Sequence, residues 1–96
     1  MIPSIGRIVH YRLNEQDVEQ IKRLRMVDQD RQGNEPKAGQ TYPAMIVAVW
    51  GVTPSENTSA NLQVILDGND SLWATSRGQG AEFGQWHEPP RTLADI

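Results

Sequence analysis

Ninety-six residues with 38% hydrophobic side chains, no cysteine and a formal net charge of −3 describe one small domain, residues 1–96, with a thin core. Disulfides, thiolate metal sites and cysteine nucleophiles are excluded, and non-specific nucleic-acid binding lacks the surplus of Lys and Arg it needs. No stretch approaches the ~18 apolar residues of a membrane span, and Met1–Arg12 has no apolar signal-peptide core.

A small chain with a thin core commonly buries more surface by oligomerising, so a homo-oligomer is expected. Charge is uneven. Residues 1–48 carry seven basic and six acidic side chains, and residues 49–96 carry two and six. Arg77 and Arg91 therefore stand out in the second half, where an arginine is either an anion contact or a solvated surface group.

In chain order, Gly6 to Arg12 reads as a first strand, with Ile8, Val9 and Tyr11 favouring extended backbone. Asn14 then has the character of a helix N-cap. Glu15 and Asp17 suit the positive end of the helix dipole, and Lys22, Arg23 and Arg25 suit its negative end. Val18, Ile21 and Leu24 or Arg25 follow at helical spacing. Helix stability is the simplest account of those basic residues. Asp28 to Gln40 is polar, with Gly33, Asn34, Pro36 and Gly39, and the segment 27–42 is expected to be a mobile loop.

A strand over 42–51 follows. Met45, Ile46, Val47, Ala48 and Val49 are apolar without alternation, as in a strand covered on both faces. Trp50, at its end, is expected to be pure core. A second polar loop covers 51–60. Asn61 to Leu66 alternates, with Leu62, Val64 and Leu66 on one face and Asn61 and Gln63 on the other. Asp67-Gly68-Asn69-Asp70 is a hairpin turn, and Ser71 to Arg77 returns as its partner strand. Strict alternation on that strand puts Trp73, Thr75 and Arg77 on one face and Leu72, Ala74 and Ser76 on the other. Gly78, Gly80 and Gly84 loosen the next stretch, Trp86-His87 forms a short last strand, and 91–96 is a flexible tail. The expected class is α+β: a small antiparallel β-sheet or partly closed barrel of four to five strands, with one helix after the first strand.

Chemistry is sparse. A triad drawn from Ser76, His10 and an Asp has no nucleophile elbow behind it. His10 and His87 lack the spacing of a helical metal pair, and residues 67–70 lack the alternating ligands and closing Glu of a calcium loop. The three glycines match no dinucleotide or phosphate-binding motif. No catalytic residue, metal site or cofactor is therefore expected. The aromatics carry more. Trp73 and Arg77 on one strand, and Arg7 and Tyr11 on another, pair a flat ring with a guanidinium, which suits a stacked base and its phosphate. The alternative makes the tryptophans core and the arginines rim.

Two segments bear a likeness. Pro3 to Tyr11, and Leu66 to Ser76 followed by Gly84-Gln85-Trp86, resemble the opening and C-terminal half of small proteins encoded by tailed phages and prophages. Pro43 to Gly51 also fits that pattern, whereas 27–42 and the tail do not. The resemblance implies a phage origin and no particular activity. The order G…W-x-x-S…W, here through Trp73, Ser76 and Trp86, is also similar to phage proteins that sequester cyclic nucleotide signals of bacterial immunity.

The leading expectation is thus a non-catalytic, phage-encoded anti-defence sponge acting in the cytoplasm of the infected bacterial host. It would bind a small anionic nucleotide-like ligand between subunits, with no membrane partner. Tyr11, Trp73 and Trp86 would stack, Arg7, His10 and Arg77 would meet anionic groups, and Thr75 and Ser76 would donate hydrogen bonds. The alternatives are a virion tail or head-completion protein, or an inhibitor of a host protein. An assembly role requires tryptophans at protein contacts and no enclosed polar pocket.

Overall fold

The computed structural model describes residues 1–90; the expected tail at 91–96, with Arg91, lies outside the described residues. Five strands and one helix follow in the order β1 (Ile8–Arg12), α1 (Glu15–Val27), β2 (Thr41–Val49), β3 (Ala60–Ile65), β4 (Ser71–Arg77) and β5 (Trp86–His87). All pairings between neighbouring strands are antiparallel, and the sheet runs β4-β3-β2-β1-β5. The class is α+β as expected, but the sheet is open: β4 and β5 are edges and do not close a barrel.

The helix begins where its capping chemistry dictates. The Asn14 side chain accepts the Asp17 N–H at 2.7 Å, and the Asp17 carboxylate accepts the Asn14 N–H at 3.0 Å. Two otherwise orphaned donors are thereby satisfied reciprocally. Ile21 is buried and Val18 packs partly against the core, so the helix covers one face of the sheet. Below it, Val9, Tyr11, Ala44, Ile46, Leu62, Val64, Leu72, Ala74 and Trp86 form the core. The strand β1, and β4 as far as Ala74, supply core residues at every second position.

Several expectations are corrected here. The strand β2 is covered on one face only. Ala44 and Ile46 are buried, but Met45 and Val47 are exposed on the side away from the helix, and Trp50 is half exposed rather than core. The segment 27–42, expected as a mobile loop, has defined contacts. Val27 ends the helix, Thr41 and Tyr42 open β2, and the stretch between them is fastened to the β3–β4 turn. Asn69 N–H donates to Gln32 O at 2.9 Å, Gln32 N–H donates to the Asn69 side chain at 2.7 Å, and Asn34 N–H donates to Asp67 O at 3.0 Å. The Asn34 amide also bonds the Asp67 carboxylate. The two backbones touch at Gly33 and Gly68, where a Cβ on either would strike a carbonyl of the other segment.

The alternation on β4 also breaks. Ala60 pairs with Arg77 and Leu62 with Ala74, so two residues of β4, Thr75 and Ser76, stand against Asn61 alone. Ser76 takes a left-handed φ of 53°, and its N–H donates to the Asn61 side chain at 2.8 Å. This is a β-bulge. It shifts the parity by one, so Arg77 turns to the helix side with Leu72 and Ala74 instead of sharing a face with Trp73 and Thr75.

Candidate functional site

The eight residues singled out from the sequence do not surround one hollow. Three of them meet on the helix side of the sheet. The Tyr11 hydroxyl donates to Asp17 Oδ2 at 2.5 Å, and Arg77 Nη2 donates to Asp17 Oδ1 at 2.9 Å. The Arg77 guanidinium lies 5.9 Å from the centre of the Tyr11 ring, and the Trp86 indole N–H donates to the Arg77 carbonyl at 3.0 Å. Tyr11, Asp17 and Trp86 are buried. Burial pushes the Tyr11 phenol above its ordinary pKa, and the hydrogen bond to Asp17 with the charge of that carboxylate reinforces the shift. This cluster ties the cap of α1 to β1, β4 and β5. The Tyr11 hydroxyl, the Asp17 carboxylate, Arg77 Nη2 and the Trp86 indole N–H are satisfied within the cluster, whereas Arg77 Nε is buried without a hydrogen-bond partner.

The others are scattered. Trp73 and Thr75 lie on the opposite, helix-free face. Trp73 and Trp86 therefore occupy opposite faces and opposite edge strands of the sheet. His10 is on the helix-free face at the other end of the sheet, edge-on to His87 with ring centroids 5.8 Å apart. Ser76 is exposed at the bulge. Arg7 is exposed just before β1, with its carbonyl accepting the Ile46 N–H at 2.9 Å.

The helix-free face itself is the more informative feature. Ile8 stands opposite Met45, Met45 opposite Gln63, and Gln63 opposite Trp73. One row of side chains thus crosses four strands. Trp73 is 58% exposed, Ile65 beside it on β3 is 50% exposed, and Ile8, Met45 and Val47 are also exposed. At these exposures the five apolar side chains offer on the order of 500 Å² of contiguous apolar surface, the upper end of what a monomer ordinarily leaves in water. At the β1 margin Arg12 is held by the Ala81 carbonyl at 2.7 Å and lies 4.6 Å over the Phe83 ring. None of the strand residues pointing to this face is acidic.

Sequence reasoning missed Ile8, Met45, Gln63 and Ile65 as members of a surface. The signal was present in β3, where Ile65 falls in phase with the wet Gln63, and in the unbroken apolar run of β2. Two open clefts of about 350 Å³ lie elsewhere. One, between α1 and residues 35–38, is lined by charges of both signs including Glu15, Lys22, Glu35 and Lys37; the other is lined by Asp28, Asp30, Arg31, Asn69 and Ser71. Neither contains any of the eight expected residues. Comparison with protein-family models, with curated protein sequences and with solved structures finds no match to this chain.

Proposed function

We propose that the chain is a non-catalytic assembly module that meets another polypeptide through its helix-free sheet face. The observation that carries this reading is the exposed row Ile8–Met45–Gln63–Trp73, running unbroken across four strands. Tryptophan and methionine are enriched at protein interfaces, and charged residues are depleted at their centres. The middle of this face has that composition.

Of the roles expected from the sequence, the building block of a phage particle fits this arrangement better than the nucleotide sponge. A single-chain nucleotide pocket needs Tyr11, Arg77 and Trp86 turned toward the ligand, and all three are engaged inward with Asp17 or with backbone. Among the described residues the two most buried carboxylates, on Asp17 and Asp70, are likewise held by structural partners. As a phage assembly protein it would act in the cytoplasm of the infected host.

A photo-crosslinking residue in place of Gln63 tests the reading, because Gln63 is polar, exposed and central to the row. In cells producing the protein it should give discrete crosslinks to a polypeptide. The same residue placed at Gln20, exposed on the helix, should not. Absence of a discrete crosslink at position 63 overturns the docking face. A thermal-shift panel of cyclic nucleotides should give no response; a binder at a hundredfold excess over Kd would gain about 2.7 kcal/mol.

A further inference from the structure

We infer that the polypeptide received by the helix-free face is a second copy of this chain, packed sheet to sheet about a two-fold axis running along the strands. This rests on the docking reading above and names its partner. Four observations converge on it.

The first is the pattern of β2. Met45, Ile46 and Val47 are apolar in succession, the composition of a strand covered on both sides, yet the helix covers only one. A second sheet laid on the open face supplies the missing layer, as in a β-sandwich. The second is area. The five exposed apolar side chains alone offer on the order of 500 Å² per copy, more than half of the roughly 800 Å² that each partner contributes to a stable interface of standard size.

The third is charge. A net charge of −3 works against self-association wherever acids face one another. The strand residues on this face include no acid, so two copies can meet here without that repulsion. Trp73 lies on β4, three strands from β1, and ends the same cross-strand row as Ile8. An axis across the strands would stack β4 on β4 and crowd the two Trp73 margins together. An axis along the strands lays β4 of each copy over β1 of the other, setting each indole over the smaller Ile8 of the second copy. The fourth is the state of the edges. The strand β5 is two residues long, and β4 is bent at its end by the Ser76 bulge. Such edges resist strand-to-strand addition, which leaves the face as the surface for association.

The axis makes a specific test available. The register pairs His10 with Pro43 and Ser71 with Ile65, and Ala44 with Val64, so Ser71 and His10 end one cross-strand row. In the dimer, Ser71 of one copy lies over His10 of the other. The chain has no cysteine of its own. Ser71→Cys and His10→Cys proteins, mixed and treated with a short bismaleimide, should give a species of twice the 10.8 kDa chain mass; neither should do so efficiently alone. Efficient crosslinking of Ser71→Cys with itself overturns the proposed axis.

Sedimentation of the wild-type protein should show a dimer. Trp73→Glu should weaken association by roughly a hundredfold or more, because a charge buried without a partner is costly, while far-UV circular dichroism stays native. Gln63→Glu, a gentler change at an exposed position, should weaken it in the same direction and serves if Trp73→Glu fails to fold. A wild-type monomer at all attainable concentrations overturns the second copy. Should that monomer still crosslink from position 63 to a different polypeptide, self-association falls and the docking reading survives; with no crosslink from position 63, both fall.

Discussion

Tyr11 illustrates how one side chain can look like a ligand contact and yet serve the fold. Its ring fills the core while its hydroxyl donates to a carboxylate that also accepts from the helix cap and from Arg77. A buried hydrogen bond to a charged acceptor contributes roughly 1.5–3 kcal/mol, so Tyr11→Phe should lower unfolding stability by about that amount in urea at neutral pH. The pH dependence has a definite sign. The folded phenol is raised above its ordinary value by burial and by Asp17, so its contribution is complete below the unfolded pKa of about 10 and is lost as pH climbs beyond it. The wild type should therefore lose stability from about pH 10 upward, and Tyr11→Phe should lose less over the same range. Legibility at this scale was mixed for a physical reason. Asn14 was readable as a cap because capping is local. The inward turn of Arg77 was not, because one bulge at Ser76 shifts every later side chain, and nothing in a serine announces a left-handed backbone.

At the scale of elements, the helix and the succession along the chain of four to five strands were legible from periodicity and turn residues, with ends displaced by a residue or two; their order in the sheet was not. The fastening of residues 28–40 was hidden, because its partners lie some thirty-odd positions downstream in the Asp67–Asp70 turn. Asp70 is the centre of that fastening. It accepts from Arg25 Nε and from Arg31 Nη1, both at 2.9 Å, and from the Ser71 N–H at 2.8 Å. Burial alone would raise its carboxyl, but these three donors outweigh burial and hold it below the ordinary range. A lowered pKa contributes stability above the unfolded value of about 3.9, and that contribution disappears as pH falls through the folded one. The wild-type melting temperature should therefore fall on acidification below about pH 4. Asp70→Asn should melt lower at neutral pH, by the equivalent of about 2 kcal/mol or more, with a flatter acid limb. Amide exchange at Gln32 and Asn34 should quicken in the same variant, since their N–H groups bond to the turn that Asp70 anchors. Unchanged exchange there would show that the turn holds the loop without its carboxylate.

For the molecule as a whole, the decisive property is asymmetry. One side of the sheet carries the helix and a fully buried core; the other carries Ile8, Met45, Val47, Ile65 and Trp73 in contact with water. Composition hinted at this, because a chain of this size with 38% hydrophobic residues has little apolar surface to spare. Periodicity could not say whether the second covering of β2 came from the same chain or another. If a second copy supplies it, folding and association are linked by mass action: whatever binds the native state but not the unfolded chain stabilises it by RT ln(1 + [L]/Kd). With the chain as its own ligand, the wild-type melting temperature should climb as protein concentration is raised. Trp73→Glu, unable to associate, should melt at one temperature throughout. In dilute solution the two proteins should converge, because Trp73 is mostly solvent-exposed within a single chain and its loss there removes little packing. A Trp73→Glu protein that stays less stable at every dilution would place the indole's contribution inside the monomer, and the exposed face would then be ordinary surface.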